Sequence, residues 1–408
     1  MFWLLLACHR LEKIDQSVDN RACEDPVVDP VAGYSTEKPT LAAAHAESYG
    51  AAPTPRHVHM SWSSDPSSSQ AILWQTDADT MATMVQYSTG GGEPEFALGG
   101  SFLASALPED GRLHEVHLCG LKPGTRYTYR VGGEGAWSPE YEFSTAPEPG
   151  SSVTFKVGIA GDARDNQSTW GQLLSQMDSH DPAFYLFSGD LVDLGVNMVE
   201  WEAWFDALEG VGEYKPFMTV HGNHEFLTRQ YFGFFSLPGN EQWYSFDYGQ
   251  MHIVGLNDTV AQATDMDVQA AWMEQDLQET EAPLKVVFHH KPAYTSCNTH
   301  PPDPVLQEKW APVEERNGVV LDFSGHNHNY ERSYPLNAGV ETTPELGTTY
   351  IVSAGAGANL YDNDLGQPYT AVAAVTYHYV ILEVDGRTVT TTAYDLAGNV
   401  LDTFTTSR

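Results

Sequence analysis

Five short apolar runs, each ending in side chains of metal-ligand type, constrain this chain more than any other feature. VTFKVGIAGD delivers Asp162 and FYLFSGD delivers Asp190. PFMTVHGNHE delivers Asn223 and His224, LKVVFHHKP delivers His289 and His290, and VVLDFSGHNH delivers His326 and His328. Each run is rich in Val, Ile and Phe and is stopped by Gly or a turn, the pattern of a buried strand. Ligands of open α/β sheets bind beyond the carboxyl ends of the strands. One layered sheet is therefore expected to gather these Asp, Asn and His side chains along a single edge. An isolated Gly-Asp after a strand is a turn whose Asp caps the next helix. Five such endings in order, with G-N-H-E and G-H-x-H among them, point instead to one metal centre.

At 408 residues the chain has room for two domains, and 10 Trp, 20 Tyr and 17 Phe supply ample core material. Lys plus Arg number 20 against 55 Asp plus Glu, a formal net charge of −35. That field repels nucleic acid and anionic membrane surfaces, so no nucleic-acid partner is expected. A small anionic substrate must be drawn in locally, and bound divalent metals do this by inverting the potential at the site.

The N-terminus MFWLLLACHR carries Leu-Leu-Ala-Cys, similar to a bacterial lipobox in which Cys8 would become a lipid anchor. The run is short and no basic residue precedes it, so the signal is incomplete. Export is the expectation: extracellular, periplasmic or lipid-anchored to the cell surface. Beyond Cys8, the remaining Cys23, Cys119 and Cys297 are odd in number and irregularly spaced. Neither a disulfide framework nor a zinc-binding pattern is expected from them.

Residues 1–52 read as this export segment followed by a flexible linker, closed by AAAHAESYGAAPTP. Over 53–147 the texture becomes short alternating segments between turns (HVHMSW, AILWQT, MVQYST, HEVHLCGL, TRYTYRVG, YEFSTA), the pattern of an all-β sandwich. Its L-C-G-L-K-P-G-T-R-Y-T-Y-R-V stretch resembles a fibronectin type III-like domain through Leu121, Pro123, Gly124, Tyr127 and Tyr129. APEPGSS then makes a linker. From 151 to 408 strands alternate with helical stretches, which predicts a layered α/β domain. The late β segments TTYIVSAGAG, YHYVILEVDG and TVTTTAYDLAG are expected to complete a second sheet behind the first, giving a four-layer sandwich.

The ordered set GD(162), GD(190), GNHE(222–225), VFHHKPAY(287–294) and GHNHNYER(325–332) resembles the calcineurin-like metallophosphoesterases. Within them it is similar to the purple acid phosphatase branch, where a fibronectin-like domain precedes the catalytic one. The resemblance implies two metals, with Asp162, Asp190 and His328 on one and Asp190, Asn223, His290 and His326 on the other. Asp190 is then the bridge that holds them ~3.5–4 Å apart for in-line displacement at phosphorus, and metal-bound water supplies the nucleophile. Mixed O and N donors suit Fe, Zn or Mn. His224 resembles the family histidine that contacts the phosphoryl oxygens together with Asn223, and His300 is the candidate for protonating the leaving group. His289 is read as structural; Glu225, Tyr330, Glu331 and Arg332 are read as orienting ligands or closing the loop through hydrogen bonds.

Two positions depart from the branch. GDLVD puts Asp193 where the family has the Tyr that gives ferric sites their colour, so Asp193 is a candidate metal donor in its stead. Arg164 stands where other members have the His of D-x-H, and is a candidate for binding substrate phosphate. The implied activity is an acid phosphatase-like phosphomonoesterase. A phosphodiesterase or nucleotidase on the same scaffold is the alternative, and a catalytically decayed cell-surface binding module is the rival of another class.

Overall fold

The computed structural model describes Cys23, Ala42–Ala43 and residues 48–259, 263–363 and 367–408. The lipobox-like segment with Cys8 lies outside the described residues, as does most of the linker after it.

The N-terminal unit is a pair of facing antiparallel sheets. Arg56–Ser61, Ser69–Thr76, Arg112–Cys119 and Gly100–Leu103 form one, with Ala42–Ala43 at its edge. Glu95–Leu98, Met84–Thr89, Arg126–Gly132 and Tyr141–Ser144 form the other. Successive strand residues point to opposite faces, so Val58 with Met60, Val116 with Leu118, and Tyr127, Tyr129 and Val131 all enter the same core. One expectation fails here. Cys23 and Cys119, 96 residues apart, are joined in a disulfide, and Cys297 is the free buried cysteine. Spacing carries no information about such a long-range pair; only the strand that ends at Cys119 brings it beside Cys23.

The second unit is built on two more sheets. The first runs Phe217–Thr219, Phe184–Phe187, Phe155–Ala160, His378–Asp385, Thr388–Asp395, Val400–Ser407, with its first three strands parallel. The second runs Tyr244–Tyr248, Met251–Gly255, Leu284–Phe288, Leu321–Ser324, Thr349–Ser353, Tyr330–Ser333, Thr370–Ala374, with a parallel block from Met251–Gly255 to Thr349–Ser353. Val157 and Ile159 of the first sheet share a core with Ile253, Val286, Phe288 and Phe323 of the second. The helix Gln167–Asp178 adds Trp170, Leu173, Leu174 and Met177 to that core. On the other face of the second sheet, Val254 and Val287 pack with Met273 and Leu277 of Ala263–Glu279 and with Leu306, Trp310 and Val313. The result is the four-layer α/β sandwich expected from strand–helix alternation.

The distribution of strands between layers differs from the sequence reading. The five ligand-bearing runs do not share one sheet. Asp162, Asp190 and Asn223 follow strands of the first sheet, while His289, His290, His326 and His328 follow strands of the second. Of the late segments, only Thr349–Ser353 joins the second sheet; His378–Asp385 and Thr388–Asp395 extend the first. Apolar periodicity marks a strand as buried on both faces, but both sheets satisfy that equally.

The two units share buried surface. Trp62, Phe102 and Leu113 of the N-terminal sandwich belong to the core of the second unit. Tyr129 Oη donates to the Glu213 carbonyl at 2.6 Å and Ser61 Oγ to that of Ser236 at 2.8 Å.

Candidate metal centre

The carboxyl ends of the two sheets meet where the Gly-Asp, G-N-H-E and G-H-x-H turns lie. Asp162, Asp190 and His326 hold φ of 62°, 55° and 66°, a left-handed backbone rare for residues with a Cβ and concentrated at functional sites. The turns are packed too tightly for side chains at two glycines. A Cβ on Gly222 would strike the Asp190 carboxylate, and one on Gly325 that of Asp162. Glu225, fully buried, accepts from the backbone N–H groups of Asp190 at 3.0 Å, Leu191 at 2.8 Å and Gly222 at 2.7 Å. It ties the second Gly-Asp turn to the G-N-H-E turn. Burial, with the Asp190 charge adding to it, pushes the Glu225 carboxyl up to about 8.

Two ligand-type clusters share one member. Asp162, Asp190 and His328 form the first and Asp190, His290 and His326 the second, the atoms of each within 4.8 Å of one another. His328 Nε2 lies 3.4 Å from Asp162 Oδ1, and His290 Nε2 lies 3.4 Å from Asp190 Oδ1. Asn223 brings Oδ1 to 3.1 Å from His290 Nε2. Backbone carbonyls aim the rings. His290 Nδ1–H donates to Ser188 O at 2.8 Å and His328 Nδ1–H to Asn359 O at 2.6 Å. A carbonyl only accepts, so each Nδ1 carries a proton and each Nε2 is the nitrogen turned to the site.

This arrangement fits metal ions. Asn223 Oδ1 and Asp190 Oδ1, both acceptors, converge on His290 Nε2, with His326 Nδ1 3.2 Å from the same nitrogen. Acceptors converging in a buried site call for a shared cation. Burial holds His328 down at about 4, against the opposing pull of the Asn359 carbonyl, and burial together with His290 drives His326 further down, so both rings are neutral donors. Burial raises the Asp162 carboxyl, with His290 opposing and Asp190 reinforcing, a cost that a cation beside it removes.

Around this cluster stand the other residues singled out from the sequence. His224 donates its backbone N–H to Asp190 Oδ1 at 3.0 Å and its Nδ1–H to Asp193 O at 2.7 Å, leaving Nε2 3.9 Å from Asp190 Oδ2. The His300 ring lies 4.2 Å from that of His326. Arg164 places Nε 3.5 Å from Asp190 Oδ2 and Nη1 2.8 Å from Asp193 Oδ1. Asp193 is not where a metal donor in place of Tyr would be. Its carboxylate, 52% exposed, belongs to neither cluster and is engaged by Arg164 and by His224 Nδ1 at 3.2 Å. The physical reason is the arginine: Arg164 offers the nearest positive charge and turns the carboxylate away from the cluster.

His289 sits fully buried between Asp258 at 3.0 Å and Asp322 at 3.1 Å, outside both clusters. Glu331 accepts from Thr295 Oγ1 and Ser296 N, while Tyr330 Oη and Arg332 both engage Asp402, so these three brace the strand and touch no ligand. Sequence reasoning missed Tyr361. Its ring stacks on His328 with centroids 4.0 Å apart, near the Arg164 guanidinium. No local signal marks it, because AGAGANLY carries neither a strand period nor a ligand spacing.

Comparison with known proteins bears on both units. Residues 55–145 match the family described as Purple acid Phosphatase, N-terminal domain, and residues 155–330 match Calcineurin-like phosphoesterase. Purple acid phosphatase 18 of Arabidopsis thaliana is 28% identical over 309 residues, covering 70% of this chain and 68% of its own length. Acid phosphatase type 7 of Mus musculus is 27% identical over 381 residues, covering 81% and 85%. Among solved structures, the purple acid phosphatase PPD1 from yellow lupin seeds shares the fold at a TM-score of 0.80 and 21% identity, covering 87% of this chain and 75% of that one. The chain thus carries a calcineurin-like phosphoesterase domain over residues 155–330, preceded by the N-terminal domain of the purple acid phosphatases over residues 55–145.

Proposed function

We propose that this protein is a phosphomonoesterase with a dinuclear metal site, acting on small phosphorylated substrates. The observation that carries the reading is the position of Asp190 in both clusters, with histidine nitrogens directed at it from the second sheet. Asp162, Asp190 and His328 would hold one ion and Asp190, Asn223, His290 and His326 the other, with Fe, Zn or Mn suited to the donor set. Bound there, the ions supply the Lewis acidity that polarises a phosphoryl oxygen and activates water. The chain's own groups do the rest. His224, its Nδ1 held by the Asp193 carbonyl, presents Nε2 to a phosphoryl oxygen; Arg164 supplies fixed positive charge beside it. His300, its ring against that of His326, would give the leaving oxygen its proton.

The disulfide between Cys23 and Cys119 supports an exported protein, since such bonds persist in oxidising compartments. The test of function is metal content measured together with turnover of p-nitrophenyl phosphate and bis(p-nitrophenyl) phosphate. Two ions per chain and faster monoester turnover support the proposal. A faster diester reaction makes it a phosphodiesterase, and near-zero metal after growth in metal-rich medium makes it a binding module.

A further inference from the structure

We propose that Asp193 is a positioning residue that locks Arg164 as a clamp on substrate phosphate, and that this clamp selects phosphate monoester dianions over diesters. The inference rests on the phosphoesterase reading of the site and assigns Asp193 a role no metal needs. Asp193 is itself held in place. Its own N–H and that of Leu194 donate to Glu200 Oε2 at 2.9 and 2.8 Å, and Glu200 sits in the first turn of the helix Met198–Asp206. From that fixed turn the side chain takes Arg164 Nη1 at 2.8 Å, while the main-chain carbonyl takes His224 Nδ1 at 2.7 Å. Nε of the same guanidinium rests 3.5 Å from Asp190 Oδ2, and Nη1 lies 3.5 Å from Asp165 Oδ1. Arg164 is thus hydrogen-bonded by the Asp193 carboxylate, flanked by Asp165 and Asp190, and only 14% exposed, whereas Asp193 is half exposed and free of the metal cluster.

A free arginine must give up rotamer freedom when it meets a phosphate. One held in advance has already lost it, so its hydrogen bonds appear in full as affinity. A monoester dianion offers the guanidinium a charged oxygen beyond those facing the metals. In a diester the corresponding oxygen is esterified and carries no charge, so the clamp has little to hold.

The experiment compares wild type with Asp193→Ala, Asp193→Asn, Arg164→Gln and the Asp193→Ala/Arg164→Gln double variant. It reads metal per chain, calorimetric affinity of the metal-loaded protein for inorganic phosphate, and kcat/KM for p-nitrophenyl phosphate and its bis-ester. Metal content should be unchanged in all four. Phosphate affinity and monoester kcat/KM should fall roughly 10–10²-fold in Asp193→Ala, the range for a hydrogen bond to a charged group, while diester kcat/KM falls less than about 3-fold. Asp193→Asn, whose amide oxygen still accepts, should lie between, and the double variant should be no worse than Arg164→Gln. Loss of metal in Asp193→Ala, equal losses on both esters, or additive effects in the double variant would overturn the proposal. If the metal-loaded wild type turns over neither ester yet Asp193→Ala still weakens phosphate binding, the hydrolase reading fails and the clamp stands. If phosphate affinity is untouched as well, both fail.

Discussion

His290 turns Nε2 toward Nδ1 of His326 at 3.2 Å, and the same nitrogen lies 3.4 Å from Asp190 Oδ1. Three ligand-type atoms meet there because two sheets deliver them: Asp190 from a strand of the first, the histidines from neighbouring strands of the second.

Asp190→Asn tests the shared carboxylate. Asn tolerates the left-handed backbone that Asp190 holds at φ 55°, so the variant should fold as the wild type does. A neutral amide in place of a shared anion weakens both ion sites together. At least one of two metals should be lost by elemental analysis, with turnover nearly abolished. Full metal content at near-normal rate would count against the bridge.

His224→Ala should part company with every ligand variant. Only its backbone N–H reaches Asp190 within hydrogen-bond distance, and alanine keeps that group. Metal content should survive while kcat drops roughly 10²–10⁴-fold, the range for a positioned acid or hydrogen-bond donor. Metal loss would place His224 in the coordination shell.

Iron loading should give no intense visible band of the tyrosinate type. Asp193 stands in place of the family tyrosine, and Tyr185 and Tyr330 spend their hydroxyls on Asp178 and Asp402. Tyr361 is the tyrosine beside the cluster, its ring stacked on that of His328 and near the Arg164 guanidinium. A band that appears in the iron-loaded protein and vanishes in Tyr361→Phe would make Tyr361 a ligand.

Alkaline stability should hinge on a site far from the chemistry. His252 is bound by Asp247 at 2.7 Å and Asp276 at 2.8 Å. Burial alone would lower its pKa, but those two hydrogen bonds outweigh it and raise the ring to about 9 from 6.5. The folded value exceeds the unfolded one, so the stabilisation is complete below about 6.5 and disappears as pH rises through about 9. It amounts to on the order of 3 kcal/mol. Urea midpoints at pH 6 and pH 10 should fall further for wild type than for His252→Gln; parallel losses would sink the assignment.

Reduction should weaken the fold through the chain it closes. Cys23 and Cys119 are 96 residues apart, and opening so long a loop is expected to cost about 2–5 kcal/mol. Cys119→Ser should show the same urea midpoint with and without reductant, lower than that of the oxidised wild type. Equal midpoints for wild type and variant without reductant would show that the bond contributes nothing.

The sequence alone determined the strands and what ends them. VTFKVGIAGD, FYLFSGD and VVLDFSGHNH could be read because apolar content and turn residues are local properties, and their terminal Asp and His do lie in the two clusters. Tertiary structure decided which strands share a sheet, since both sheets are buried on both faces and look alike in pattern. It also decided the Cys23–Cys119 bond, the place of Tyr361 on His328, and the direction of the Asp193 carboxylate. A side chain at a turn points toward its strongest partner, and for Asp193 that partner is Arg164, 29 residues away in the chain and 2.8 Å away in space.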